Sequence, residues 1–218
     1  MHIEGSPFSI CVTTPLASQK VASAVLSVLT EIGQSKPLLV VCVGSDRATG
    51  DSLGPLVGSM LSWSGFRGKI LGTLEQPVHA ANLLETLSMI ECEQGIVLGV
   101  DACLGTKTEV GTIIVRQGSL KPGLGVKKRL PSVGDLHIAG VVNVGGFMEH
   151  MVLQNTRLNL VVRMAQTISA AIIQAGHLME SNRLQSGPGP ILENDVIPLG
   201  LKTAGLHLQL PQGSGPRQ

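Results

Sequence analysis

The apolar positions change their period several times along the chain. Between Ser18 and Gln34, Val21, Val25, Val28, Leu29 and Ile32 recur at three- and four-residue steps, which predicts an amphipathic helix. Ser18 stands at its N-cap, and Gly33 where a helix-ending glycine belongs. The next segment, PLLVVCVG from Pro37 to Gly44, is apolar almost without a break. So short a continuous run predicts a parallel strand covered on both faces. The two patterns then alternate. DSLGPLVGSMLSW reads as a helix with Pro55 in its first turn, where no N–H is needed. KILGTL is a short strand, HAANLLETLSMIE a helix, and GIVLGV a second buried strand ending at Asp101. GTIIVRQG and LHIAGVVNV are further strands. The segment from about Gly145 to Gly176 is a helix long enough to expect a kink or break.

Strands alternating with helices predict an α/β fold, a three-layer α/β/α arrangement around a mainly parallel twisted sheet. Residues 1–14 carry little pattern and read as a flexible lead-in. From Ser186 onward the chain is rich in Gly, Pro and Gln. The expectation is one domain over residues 1–180 and a weakly ordered tail over 181–218.

Composition narrows the function. With 218 residues, 43% hydrophobic, the chain suits one buried core. A net charge of +1 gives no reason to expect nucleic acid or an anionic membrane surface as partner. Neither a signal-peptide pattern nor a uniformly apolar run of membrane-spanning length is evident, so a soluble, intracellular protein is expected. Cys11, Cys42, Cys92 and Cys103 have no metal-ligand spacing and read as free thiols. The phosphate-binding motif GK[ST], the dinucleotide fingerprint and the GxSxG nucleophile elbow are all absent.

Candidate chemistry collects at the predicted strand ends. Ligands of open parallel sheets bind beyond the carboxyl ends of the strands. VCVGSDRATGDSLGP places Asp46 and Asp51 there, and IVLGVDA places Asp101 there. Paired carboxylates brought close cannot both ionise easily, so one becomes an acid and the other a base. The same pair with an imidazole suits a divalent cation. Asp51 also fits a helix N-cap, and Asp46 fits either a turn-stabilising role or a substrate contact. His79 and His137 lie near loop ends where a site could use them, whereas His150 and His177 read as surface or packing residues. The Gly- and Pro-rich loop from Gly118 to Asp135 has the length of a binding loop or lid. Its basic residues, Lys121, Lys127, Lys128 and Arg129, fit contact with an acidic partner as well as plain solvation. Asn143, Glu149, Gln154, Asn155 and Arg157 suit either the cleft lining or the satisfaction of backbone groups. Cys103 reads as a packed thiol rather than a nucleophile.

CVGSDRATGDSLGPLVG, GTLEQPVHAANL, VDACLG, KPGLGVKKRLPSVGD and GVVNVGGFMEHMVLQNTRLNLV together resemble the spore protein YyaC family of endospore-forming bacteria, over about residues 36–175. That family is similar to the germination protease, which degrades small acid-soluble spore proteins, and more distantly to hydrogenase maturation proteases. The resemblance implies a peptidase-type α/β/α fold and an aspartate-dependent hydrolysis of a protein or peptide substrate, the alternative being a non-catalytic sporulation binding protein that keeps the fold and the acids. ATGDSLGP puts Asp51, and VDACLG puts Asp101, at the positions of the two catalytic acids. PGLGVKKRL resembles a loop of the germination proteases, which makes Pro122, Gly123, Gly125 and Arg129 candidate substrate contacts alongside Asp46. Hydrogenase maturation proteases add a histidine that binds nickel with their acids. By that likeness His137, or else His79, would join Asp51 and Asp101 around a divalent metal, although no cofactor is required. The implied location is the cytoplasm of a sporulating cell or forespore.

Overall fold

The structure, a computed structural model, describes residues 7–33, 36–90, 95–122 and 131–185. In chain order the elements are β1 (Phe8–Cys11), α1 (Ala17–Ile32), β2 (Leu38–Cys42), a 3₁₀ turn (Gly50–Ser52), α2 (Leu53–Trp63), β3 (Lys69–Leu71), α3 (Leu83–Ile90), β4 (Ile96–Gly105), β5 (Thr112–Gln117), β6 (Leu136–Val144), α4 (Glu149–Gln154) and α5 (Leu158–Gln185). The six strands form one sheet in the order β1-β5-β6-β4-β2-β3. The β2–β3, β2–β4 and β4–β6 pairs are parallel, and β5 runs antiparallel to both β6 and β1. The fold is α/β with a mostly parallel sheet, as the alternation of patterns predicted.

Side-chain alternation along the strands divides the core. Leu38, Val40 and Cys42 of β2 and Leu98 and Val100 of β4 face α1, α2 and α5. Leu39, Val41 and Val43 face the other way, onto Leu83 and Ile90 of α3 and onto Leu120 and Val133. All five residues of β2 are buried, which explains its unbroken apolar run. α5 is long and apolar enough over Leu158–Asn182 to cross a membrane by length and composition. Here Val161, Met164, Ile168 and Ile172 are fully buried in the core.

Four expectations are corrected. Residues 8–11 are not a flexible lead-in: they pair with β5 as β1, a strand too short for its alternation to stand out. Ser18 does not cap α1. The helix begins a residue earlier, after Leu16 at φ 60°, and Ser18 bonds to Gln19 instead. Gly33 does end it, its N–H donating to Leu29 O at 3.0 Å. β4 continues past Asp101 to Gly105 because β6 pairs with it as far as Val144. The last helix runs beyond 180 to Gln185, and the rest of the expected tail lies outside the described residues. The expected break in the long helical segment is real: α4 ends at Gln154 and α5 starts at Leu158.

Candidate active site

The site begins where β2 leaves the sheet. Its pairing with β4 runs from Leu38↔Ile96 to Cys42↔Val100, and the Val43 N–H still reaches Val100 O at 2.7 Å. The chain then turns at Gly44, with φ 143°, whose N–H donates to Val78 O at 2.8 Å. Ser45 N–H donates to the main-chain oxygen of Asp51 at 3.1 Å. A Cβ on Gly44 would strike that same oxygen, so only glycine lets the 3₁₀ turn carrying Asp51 sit on the strand end. The chain connects β2 to β3 on one side, and the strand on its other side is β4. The carboxyl ends of β2 and β4 therefore flank a point where the strand order reverses, the usual ligand crevice of such sheets.

Asp101 occupies this crevice from the other strand. It is the first residue of β4 beyond the pairing with β2, so its flank on that side is free of a strand neighbour. Its carboxylate is buried, 9% exposed, and Oδ1 accepts the Ala102 N–H at 2.8 Å. Burial pushes the Asp101 carboxyl well above the usual carboxylate range, and the negative charge of Asp51 pushes it further. Asp51, half-buried, is also raised by burial, but the Ser45 N–H and the imidazoles of His79 and His150 favour its ionised form. The two acids thus differ in degree: both are raised, Asp101 the further, so Asp51 is the first to ionise. Asp51 is no side-chain cap, for it lies in the turn before α2 and that helix start has no side-chain cap bond.

His79 belongs to a turn braced by Asn82, which donates Nδ2–H to Pro77 O at 3.0 Å and accepts the His79 N–H at 2.8 Å. Ala81 N–H donates to His79 Nδ1 at 3.3 Å, which leaves the hydrogen of the neutral ring on Nε2. His150 stands exposed on α4, with Nε2 3.2 Å from Gln154 Nε2. His137 is elsewhere. It pairs with Gly99, a full side-chain repeat before Asp101 on the same face, and its Nδ1 bonds to Gly118 O at 2.8 Å. Burial and the Arg116 charge lower its pKa. Among the described residues, no three of His, Cys, Asp and Glu come together to hold a metal ion. Neither His137 nor His79 therefore completes the expected donor set with Asp51 and Asp101 among the described residues. Asp46 is exposed, and the hydroxyl that braces its turn is that of Ser45, accepting the Arg47 N–H at 3.2 Å. Pro122 is buried, while Gly123, Gly125, Lys127, Lys128 and Arg129 lie outside the described residues. Cys11, Cys42 and Cys103 are free thiols. Burial, Asp101 and Glu109 push the Cys103 thiol up to about 11, so it is no thiolate nucleophile.

The break between α4 and α5 serves the site. Thr156 Oγ1 donates to Val152 O at 2.9 Å, and Asn143 Nδ2 reaches both Thr156 Oγ1 and Val152 O at 3.2 Å. Asn155 Nδ2 likewise donates to Met151 O at 2.8 Å. These asparagines satisfy hydroxyl and backbone groups. Thr156 and Leu153 close over Gly50, next to Asp51, so tightly that a Cβ there would touch both. Thr156→Val is expected to cost about 1–2 kcal/mol, read as a Tm lower by about 2–8 °C in thermal denaturation.

A family model described as "Protein of unknown function (DUF1256)" matches residues 9–171. The chain is also 49% identical over 162 residues to the "Uncharacterized protein YyaC" of Bacillus subtilis (strain 168), covering 73% of this chain and 79% of that protein. The chain belongs to the DUF1256 family. In this DUF1256 protein the matched span holds Asp51, Asp101 and both imidazoles that act on Asp51. His150, read from the sequence as a surface or packing residue, is exposed as expected, and its charge also acts on Asp51, which the sequence reading did not foresee. Its place on α4 depends on how the 145–157 segment folds back over the 3₁₀ turn, and no local pattern around it marks that return.

Proposed function

We propose that this protein is an endopeptidase that hydrolyses a peptide bond in a spore protein with Asp51 and Asp101. The supporting observation is the unequal pair of carboxyls at the sheet's switch point, both raised by burial, with Asp101 raised the further and Asp51 partly relieved by the Ser45 N–H and two imidazoles. In the proposed reaction Asp51 takes a proton from water, and the resulting hydroxide bonds to the scissile carbonyl carbon. Protonated Asp101 donates its hydrogen toward the carbonyl oxygen, where negative charge develops. As the C–N bond breaks, the proton held by Asp51 passes to the leaving nitrogen and the hydrogen on the carbonyl oxygen returns to Asp101, giving one new carboxyl and one new amino terminus. The work would be done in the cytoplasm of a sporulating cell or forespore.

The test is incubation of the purified protein with small acid-soluble spore proteins, with new termini read by mass spectrometry. Discrete cleavage that disappears in both Asp51→Asn and Asp101→Asn supports the reading. Intact substrate at every pH tested, or equal cleavage by the variants, removes it. The rate should follow a bell with pH, its acid limb set by ionisation of Asp51 and its alkaline limb by loss of the Asp101 proton. His79→Gln removes a positive neighbour that lowers the Asp51 pKa. The acid limb should then move to higher pH, with the alkaline limb unmoved, in a profile of kcat/KM.

A further inference from the structure

β3 is the last strand of the sheet, and among the described residues only β2 pairs with it. An open strand edge presents backbone N–H and C=O groups at the spacing another strand needs. Along this edge, between β3 and α3, runs a groove of about 440 Å³. Ile70, Leu71 and Met89 supply apolar lining, Thr73 a hydroxyl, and Glu85 the one carboxylate. Glu85 is exposed and makes no ion pair among the described residues. At the carboxyl end of β3 the groove is lined by His79, the imidazole that also acts on Asp51. Because β2, β3 and β4 run parallel, that end is also the end of β4 toward which Asp101 lies.

An occupant of this groove would find backbone partners on one side, apolar surface beneath and an unpaired acid on the opposite wall. A small molecule uses little of a strand edge; an extended polypeptide uses all of it. We propose that a substrate segment adds to the outer edge of β3 as a further strand, with a lysine or arginine of that segment against Glu85. The segment continues past His79 to the acid pair. This inference rests on the hydrolase reading for its destination, while the docking itself can be measured without turnover.

The probes are three synthetic libraries of unstructured decapeptides with lysine, glutamate or leucine fixed at the centre, mixed with the full-length Asp101→Asn protein. Hydrogen exchange at Ile70–Gly72 should slow with the lysine library. Fluorescence anisotropy should show about fivefold tighter binding than for the glutamate library, the scale of an exposed ion pair. Glu85→Lys should reverse that ranking. Absence of binding, binding without slower exchange at Ile70–Gly72, or a ranking unmoved by Glu85→Lys overturns the proposal. Cleavage of spore proteins by the wild type is assayed in parallel. Cleavage without protection of β3 would sink this docking mode and leave the hydrolase standing. Protection with no cleavage would keep the docking mode and remove the hydrolase.

Discussion

Asp101→Asn is expected to lower kcat/KM for peptide hydrolysis by about 10²–10⁴-fold and, at neutral pH, to raise thermal stability. Both effects have one cause. The Asp101 carboxyl is buried beside another acid, so its ionised form is disfavoured in the folded protein. The amide keeps the shape and an N–H donor but has no transferable proton. The sign of the stability change follows from linkage. In the unfolded chain Asp101 ionises near the ordinary carboxyl value of about 4, whereas in the folded chain it does so only at higher pH. As pH rises above about 4 the unfolded state gains from ionisation and the folded state does not, so wild-type stability falls until the folded value is passed. Asn has no such loss. The gain should be about 0.5–2 kcal/mol, the scale of single stabilising changes at sites that trade stability for activity. Denaturation curves of both proteins from pH 4 to 8 check it: the difference should widen with pH. A gap that narrows as pH rises would contradict the assigned burial of Asp101.

The second large effect belongs to a residue with no chemistry of its own. Gly54→Ala is expected to destabilise the protein by about 3 kcal/mol, the upper part of the usual overpacking range. A Cβ on Gly54 would run into the carbonyl oxygen of Val43, and the Val43 main chain is itself tied to Val100. No side-chain rotation relieves a clash with backbone. α2 would have to lift from the end of β2, taking the Asp51 turn with it. The Tm should drop by about 6–12 °C for a domain of this size, and hydrolysis should fall further than stability alone explains. Wild-type stability in Gly54→Ala, measured by denaturant titration, would contradict the close approach of α2 to β2.

Local pattern was enough to locate most elements. β2 is legible because a strand buried on both faces must be apolar at every position, and α1 because a helix on the sheet must be apolar on one side. Asp101 stood out as an acid directly after an apolar run, and Asp51 as an acid in the Gly-rich turn that follows another. β1 was not legible, since its four residues gain their structure from β5, far along the chain. Nor was the full length of β4, which β6 extends past the expected end at Asp101.

By itself, then, the order of residues determined the fold class, the α/β alternation and the two acids, because these depend on periodicity and on what a buried backbone tolerates. Which groups stand around those acids was decided only by tertiary structure. Strand order puts β2 beside β4, and so Asp51 beside Asp101. The fold-back of α4 lets the charge of His150 act on Asp51, while the register of β6 leaves His137 against Gly118. These are contacts between segments separated by tens of residues, and their geometry is set by packing rather than by any neighbouring side chain.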